Sequence, residues 1–414
     1  MSKEVVIIDG IRTPFAKMGT TLAGADAVEL GRTAVQGLLT RLGFDPNLID
    51  ETIFGCVSQP VDAPNIARII ALRAGIPESK PAFTVQRNCA SGLEAITTAA
   101  DRIISGRGDV YLVGGTESMT RIPLLYKHRT ALKFSALSRS RSTGEKIANI
   151  LKFRPADFAP VVGLKLGLSD PVSGLNMGQT AELLAREFEI GRDEQDEFAL
   201  RSHQLASAAA EKLAAEITPW YDAKSGKPVT ADNGVREGQT MEALGKLKPV
   251  FERNTGTVTA GNASQITDGA VALLMMSREK ADQLGLPALG RLVDYQYTGC
   301  DPAKMGLGPA HAIETMTKRS ALNPSDADLL EINEAFAVQV LSCLKLLNEK
   351  GIHLDIDRLN VNGGAIALGH PVGASGARLA LTALKELERR EAKSALVSLC
   401  IGGGQGGAAW LERV

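Results

Sequence analysis

The feature that most constrains the fold is an internal repeat. Gly43-Phe44-Asp45-Pro46-Asn47-Leu48-Ile49-Asp50-Glu51-Thr52-Ile53-Phe54-Gly55 lines up with Ala321-Leu322-Asn323-Pro324-Ser325-Asp326-Ala327-Asp328-Leu329-Leu330-Glu331-Ile332-Asn333. Each copy follows a helical pattern and runs into a short apolar strand. Further on, Ala90-Ser91-Gly92 matches Ala374-Ser375-Gly376, and each opens an Ala/Leu-rich helix, over 90–105 and 374–390. Both helices lead to apolar strands that end in glycines, at Gly114-Gly115 and Gly402-Gly403. Strands alternating with helices predict βα units and an α/β fold. Two copies of one unit predict pseudo-symmetric halves, with functional loops from both meeting at their interface.

The remaining sequence separates the halves. The chain has 414 residues, 44% of them hydrophobic, and a net charge of -1, enough for two or three domain-sized units with large cores. No apolar run reaches membrane-spanning length. The N-terminus enters a strand pattern at once, which leaves no room for a signal peptide. Five cysteines without a CxxC pair, and five histidines without ligand spacing, disfavour a disulfide framework or a metal site. Reduced thiols in the cytoplasm fit better. The stretch 118–250 has no counterpart in the repeat. It carries helical patterns over 178–187 and from Asp193 to about Ile217. Its first part, Arg121 to Pro155, holds nine Lys/Arg against the single acid Glu145, with Leu124, Leu132, Phe134, Ile147 and Phe153 interleaved. Such a segment can cover a polyanion, rest on an anionic membrane or dock a partner; it can also be a solvated insertion.

Two cysteines stand in small-residue surroundings. Cys89 sits in Asn88-Cys89-Ala90-Ser91-Gly92, at a predicted helix start, where N–H groups and the helix dipole favour thiolate. Read alone it is equally a small buried cysteine. Cys400 closes an apolar strand ahead of Ile401-Gly402-Gly403-Gly404. His370 lies between Gly363-Gly364 and Gly373, with Pro371 fixing the turn. Two thiols and a constrained imidazole are equipment for nucleophilic acyl transfer with a second thiol as acid/base. His128, His203, His311 and His353 read as surface or packing residues. Asn333 and Glu334 stand at a strand end, where α/β folds place ligands; Asn333 can hold a water or cap a helix. Residues 260–270 read as a polar turn between strands, either a ligand loop or a connection.

In this order and spacing, Asn88-Cys89-Ala90-Ser91-Gly92, Asn333-Glu334-Ala335-Phe336, Gly369-His370-Pro371 and Cys400-Ile401-Gly402-Gly403-Gly404 resemble the thiolase family. The likeness runs from Ile11-Arg12-Thr13-Pro14-Phe15 to the last glycine loop. It implies a duplicated five-layer αβαβα fold with an inserted loop domain: residues 1–117 and 251–280 as the N-terminal half, 118–250 as the insert, and 281–414 as the C-terminal half. It implies Cys89 as acylated nucleophile, His370 as its base, and Cys400 as the proton carrier at the α-carbon of acetyl-CoA. One oxyanion hole would use His370 and a water on Asn333, the other the N–H groups of Cys89 and Gly403. Ser264 and Met177 match positions lining the pantetheine tunnel, with Ala335 and Phe336 beside them. Coenzyme A is implied as substrate, with no permanently bound cofactor and no metal. Ketoacyl synthases carry Cys-His-His, and Cys400 in third place favours a thiolase.

The long insert resembles that of the β-subunits of fatty-acid oxidation multienzyme complexes. This implies thiolysis of 3-ketoacyl-CoA, with acetoacetyl-CoA thiolase as the runner-up; a non-catalytic acyl-CoA-binding scaffold would not need all three of Cys89, His370 and Cys400. The implied partners are CoA and acyl-CoA, a second copy of the chain in a dimer or tetramer, and a hydratase/dehydrogenase subunit or a membrane surface at the insert, but no nucleic acid.

Overall fold

Strands and helices alternate from the first described residues in the computed structural model, which describes residues 3–222 and 225–414. Met1 and Ser2, at the start of the N-terminal strand pattern, and Ala223 and Lys224, within the 118–250 stretch, lie outside the described residues. The first half contains β1 (Val5–Arg12), α1 (Ala27–Leu42), β2 (Glu51–Gly55), α2 (Ile66–Arg73), β3 (Ala82–Val85), α3 (Ser91–Ile104) and β4 (Val110–Glu117). The insert contains α4 (His128–Ser138), α5 (Thr143–Ile150), α6 (Met177–Glu187) and α7 (Arg192–Ala208). Then follow β5 (Thr267–Ser277), β6 (Gly290–Gly299), α8 (Gly308–Arg319), β7 (Leu329–Ile332), α9 (Ala337–Glu349), α10 (Ser375–Arg390), β8 (Ser394–Ile401) and β9 (Gln405–Glu412).

The strands run in the order β3-β2-β4-β5-β1 in one sheet and β7-β8-β9-β6 in the other. A short antiparallel pairing joins them, Val6 with Arg291 and Ile7 with Gly290. In each half the crossover pairs are parallel (β3-β2-β4; β7-β8) and the closing pairs antiparallel. The fifth position of the second sheet is reduced to one parallel bridge, Leu330 to Leu359. The aligned segments of the repeat behave alike. Asp45 caps the turn Pro46–Leu48 by accepting from the Asn47 N–H, and Asn323 caps Pro324–Asp326 by accepting from the Ser325 N–H. A strand follows each.

Helices α3 and α10 form the central layer between the sheets. Leu93, Ile96, Ala100 and Ile103 of α3 recur at helical spacing and are buried together with Leu379 and Leu384 of α10. The inner faces of both sheets, such as Val113, Leu273, Val397 and Leu399, complete that cluster. Alternation along each strand sends the other side chains outward. Val6, Phe54, Leu112 and Leu274 meet α1 and α2, while Leu330, Ile332, Leu396 and Trp410 meet α8 and α9. This is the expected five-layer arrangement. Each large aliphatic side chain so buried contributes about 1.5–3 kcal/mol. The two central helices meet at their N-termini. A Cβ on Gly92 would lie 2.8 Å from the Ala377 N, and one on Gly376 would lie 2.6 Å from the Leu93 N. Each copy of Ala-Ser-Gly therefore supplies the gap into which the other helix fits.

Two sequence expectations shift. The helix expected to run from Asp193 to Ile217 breaks at Ala209 and ends at Ala214; Ile217 instead bridges to Arg12. The polar turn expected over 260–270 is shorter, because Thr267–Ala270 already belong to β5, which is buried throughout. Arg12, from the N-terminal Ile-Arg-Thr-Pro-Phe run, is buried. It pairs with Glu216 (3.2 Å) and Asp232 (2.7 Å), and its guanidinium lies 5.0 Å from the Phe15 ring centre. That motif ties the insert to β1 at Glu216 and Asp232.

Candidate active site

The turn that carries Cys89 joins β3 to α3. Asn88 adopts a left-handed conformation (φ 43°), unusual for a residue with a side chain. Two contacts hold it. Its Nδ2 donates to the Gly402 carbonyl at 2.6 Å, and its own carbonyl accepts from the Ser91 hydroxyl at 2.7 Å. Cys89, half-buried, follows. Its thiol is pushed up by burial, while a backbone hydrogen bond from Gly402 pulls the other way. This corrects the expectation of a thiolate stabilised by the helix. Removal from water disfavours the charged sulfur more than the backbone N–H groups of Gly402 and Cys89 favour it. The thiol so held keeps its proton at rest.

His370 follows a short helix, Ala365–Leu368. Gly369 takes φ 100°, and a Cβ there would collide with Thr267 Oγ1. Only glycine lets the chain pass this close to β5. The His370 N–H donates to Gln265 O and Thr267 Oγ1, each at 3.2 Å. Its Nδ1 lies 2.6 Å from Ser375 Oγ, and its buried Nε2 has no protein partner among the described residues. Burial, with the nearby Arg378 charge, lowers His370 to about 4. The ring is neutral at pH 7, the state a proton acceptor needs.

Cys400 is buried near the end of β8. Burial first, and the charge of Cys89 second, hold its thiol well above the ordinary cysteine range. The two thiols are thus in electrostatic reach, and ionisation of one opposes that of the other. Asn333 ends β7 and donates its N–H to Ser398 O at 2.9 Å. Its side-chain Nδ2 and Oδ1 are both buried without protein partners among the described residues, as a group aimed at substrate or water would be. Its neighbour Glu334 plays a different part. Its carboxylate accepts from Ser202 Oγ (2.6 Å), Asn360 Nδ2 (2.9 Å) and the Ile366 N–H (3.1 Å). It ties α7 to the loop that delivers His370.

The remaining predicted residues surround this junction. The Ser264 N–H donates to Ala335 O at 3.0 Å, and Ala263 bridges Phe336. Ile266 bridges His370, so the 263–267 segment links Ala335 to the imidazole turn. Ala335 and Phe336 are themselves buried, Phe336 edge-on to Phe251 at 6.2 Å. Met177 opens α6, and its sulfur would lie 3.7 Å from a Cβ on Gly402.

Sequence reasoning missed Glu117. Buried at the end of β4, it accepts from the N–H groups of Val57 (3.1 Å), Ser58 (2.9 Å) and Gly373 (3.0 Å), and the Cys56 thiol lies 3.8 Å away. It joins the first half to the turn that carries His370. Burial raises it to about 7. The signal available was an acid closing the apolar strand Val110-Tyr111-Leu112-Val113. Ser375 was quoted only as part of the repeat. Among the described residues, no His/Cys/Asp/Glu group is arranged to hold a metal, and no helix is long and apolar enough to cross a membrane.

A duplicated five-layer architecture, with Cys89 and Cys400 in electrostatic reach of each other, defines the class. The chain belongs to the thiolase family: the thiolase N-terminal domain profile matches residues 5–279 and the C-terminal domain profile residues 286–413. A 3-ketoacyl-CoA thiolase of Pseudoalteromonas translucida is 38% identical, over 99% of this chain and 97% of that protein. The Bacillus anthracis acetyl-CoA acetyltransferase superposes with a TM-score of 0.90 at 38% identity, over 100% of this chain and 99% of that one. Human mitochondrial 3-ketoacyl-CoA thiolase superposes with a TM-score of 0.88 at 36% identity, over 100% of this chain and 99% of that one, and that enzyme is also known as a complex with CoA.

Proposed function

We propose that the protein is an acetyl-CoA C-acyltransferase that cleaves 3-ketoacyl-CoA with CoA in fatty-acid β-oxidation. The observation that carries this reading is the neutral imidazole of His370, with Nε2 unpartnered among the described residues, on the turn whose Gly373 carbonyl would lie 3.0 Å from a Cβ on Gly92 of the helix after Cys89. Nε2 takes the Cys89 proton, and the thiolate attacks the 3-keto carbon. Backbone N–H groups of the Cys89 and Gly403 turns, and His370 with Asn333, receive the oxyanions. The bond between the α- and β-carbons breaks, leaving an acyl group on Cys89. Cys400 protonates the departing acetyl-CoA enolate. The Cys400 thiolate then takes the proton of incoming CoA, whose sulfur attacks the acyl-cysteine, and Cys89 recovers its proton from His370. The raised Cys400 thiol keeps its proton at rest and is a strong base once it has given it up. Ser264, Met177, Ala335 and Phe336 line the pantetheine path, and CoA is a substrate rather than a resident cofactor.

Incubation with an acyl-CoA donor without free CoA tests the reading. Mass spectrometry should find the acyl group on Cys89; label on Cys400 would overturn it. The likeness to an acetyl-CoA acetyltransferase favours a second reading, acetoacetyl-CoA thiolysis or the reverse condensation. Rates along a ladder of 3-ketoacyl-CoA chain lengths separate the two.

The insert supports a medium- or long-chain, surface-bound enzyme. Tyr126, Phe134, Phe153 and Phe158 form an aromatic cluster, and Leu124, Leu132, Ile147, Ile150 and Leu151 are exposed around it. Arg129 and Lys133 are engaged with the buried Asp157 at 3.6 and 2.6 Å, so they serve the insert's own fold. Lys127, Arg139, Arg141 and Lys146 are the charges facing an anionic bilayer or an acidic hydratase/dehydrogenase subunit, each worth about 1 kcal/mol at a membrane surface. Their replacement by Gln should abolish salt-sensitive binding to anionic vesicles or to that subunit; unchanged binding would make the segment a flap. A dimer or tetramer, a cytoplasmic location suited to five unpaired cysteines, and the division into 1–117, 118–250, 251–280 and 281–414 complete the proposal.

A further inference from the structure

The repeat places a serine at the first residue of both central helices, Ser91 and Ser375. Neither helix has a side-chain cap at the preceding alanine. Both hydroxyls instead turn back onto the catalytic loops. In the first half, Ser91 Oγ accepts from the Arg87 N–H at 2.9 Å and donates to Asn88 O at 2.7 Å. In the second half, the residue at Arg87's place is Pro371, four positions before the serine, and proline has no N–H. Ser375 Oγ donates to Pro371 O at 3.0 Å, and the acceptor lone pair that the missing N–H leaves free faces His370 Nδ1 at 2.6 Å. That carbonyl also accepts the Ala374 and Ser375 N–H groups, at 2.9 and 3.0 Å, and where the hydroxyl adds its own proton there it accepts from the ring. Nδ1 must then be the protonated nitrogen, and Nε2 carries the bare lone pair.

We infer that Ser375 is a positioning residue that fixes His370 as the Nδ1–H tautomer, and that Pro371 makes this possible by removing the competing backbone donor. This rests on the reading of His370 as the base for Cys89. Without Ser375, the ring can place its proton on either nitrogen and turn about its side-chain bonds; only one tautomer presents a base to the thiol. Ser91, by contrast, serves the backbone of the nucleophile turn and leaves His370 alone.

The test combines tautomer and rate. In protein labelled with ¹⁵N-histidine, with the His370 signal identified by its loss in His370→Asn, wild type should show a protonated Nδ1 and an unprotonated Nε2. Ser375→Ala should mix the tautomers and slow acylation of Cys89 by about a hundredfold, with KM changed less. Ser375→Cys, close in size and a weaker acceptor, should lie between, and it decides the matter if the alanine variant does not fold. Ser91→Ala should keep the wild-type His370 tautomer. Wild-type His370 protonated at Nε2 would overturn the inference. So would Ser375→Ala with an unchanged tautomer and acylation within about threefold of wild type. If His370→Ala kept normal acylation, the base assignment would fail, whatever the tautomer showed.

Discussion

The two halves share one scaffold and divide the chemistry unequally. Both have a parallel crossover, a central helix opening with Ala-Ser-Gly and a following apolar strand with a glycine pair, although the expected ending in glycines holds only for β8: Gly114-Gly115 lie within β4, which runs on to Glu117. Yet the proposed nucleophile comes from the first half alone, and the imidazole, the second thiol and Asn333 come from the second. At Asn333 the aligned residue of the first copy is Gly55. Where Cys400 lies near the end of β8, Glu117 closes β4 in the first half and turns its carboxylate to backbone N–H groups instead of substrate. A duplicated fold thus holds a structural group in one half and a proposed catalytic group in the other at the same kind of place, a strand end, because a strand end can satisfy either. The central pair of helices stays symmetric because each glycine makes room for the other helix. The loops around it are free to differ.

The sharpest way to break this division is at the thiols and the imidazole. Cys89→Ala should abolish the acyl-enzyme and lower thiolysis by at least about 10⁴-fold, while His370→Ala should slow acylation by about 10²–10⁴-fold. Cys400→Ser should slow exchange of the acetyl-CoA α-proton by about 10²-fold or more, and acylation of Cys89 by less, since a serine hydroxyl is a poor proton carrier. Equal damage to both steps by both changes would erase the asymmetry between the halves.

The pH profile sharpens it further. His370 is held near 4 by burial, so the folded ring binds fewer protons than the unfolded one between about 4 and 6.5. Its contribution to stability is present above pH 6.5 and is lost as pH falls through 4. The acid limb of Cys89 acylation should fall near 4 instead of the ordinary imidazole range; a limb at 6.5 would show the ring exposed.

The shared scaffold offers a smaller, symmetric test. Gly92→Ala and Gly376→Ala each place a methyl against backbone of the opposite helix and should each cost about 1–3 kcal/mol in denaturant unfolding. A large cost at one and none at the other would show that the central layer is not built symmetrically.

The smallest effect concerns Glu117. Raised to about 7, it binds more protons folded than unfolded between about 4.5 and 7, so its contribution to stability falls as pH rises through that range. The stability advantage of wild type over Glu117→Gln should shrink between pH 5 and pH 8 in thermal melts, and a growing advantage would mean that the carboxylate is stabilised as an ion.

Local signals were legible from the chain alone wherever spacing and chemistry coincide. Asp45-Pro46 and Asn323-Pro324 announce capped turns before strands, and the helices opening at Ser91 and Ser375 appear within a residue of where the repeat puts them. The same motifs mark Cys89, His370 and Cys400 as reactive, because small residues and proline around a nucleophile have few other uses. What the chain could not state depends on groups brought together from distant segments. Whether Cys89 is easier or harder to ionise is settled by burial in the folded chain, set against a hydrogen bond from Gly402, 313 positions away in sequence number. Ser375 reads as a helix-opening serine until Pro371 and His370 are seen on either side of its hydroxyl. Glu117 reads as a surface acid until Val57, Ser58 and Gly373 close around it. Residue type and period dictate elements and candidate chemistry; desolvation and hydrogen-bond partners set proton positions, and those exist only once the chain has folded.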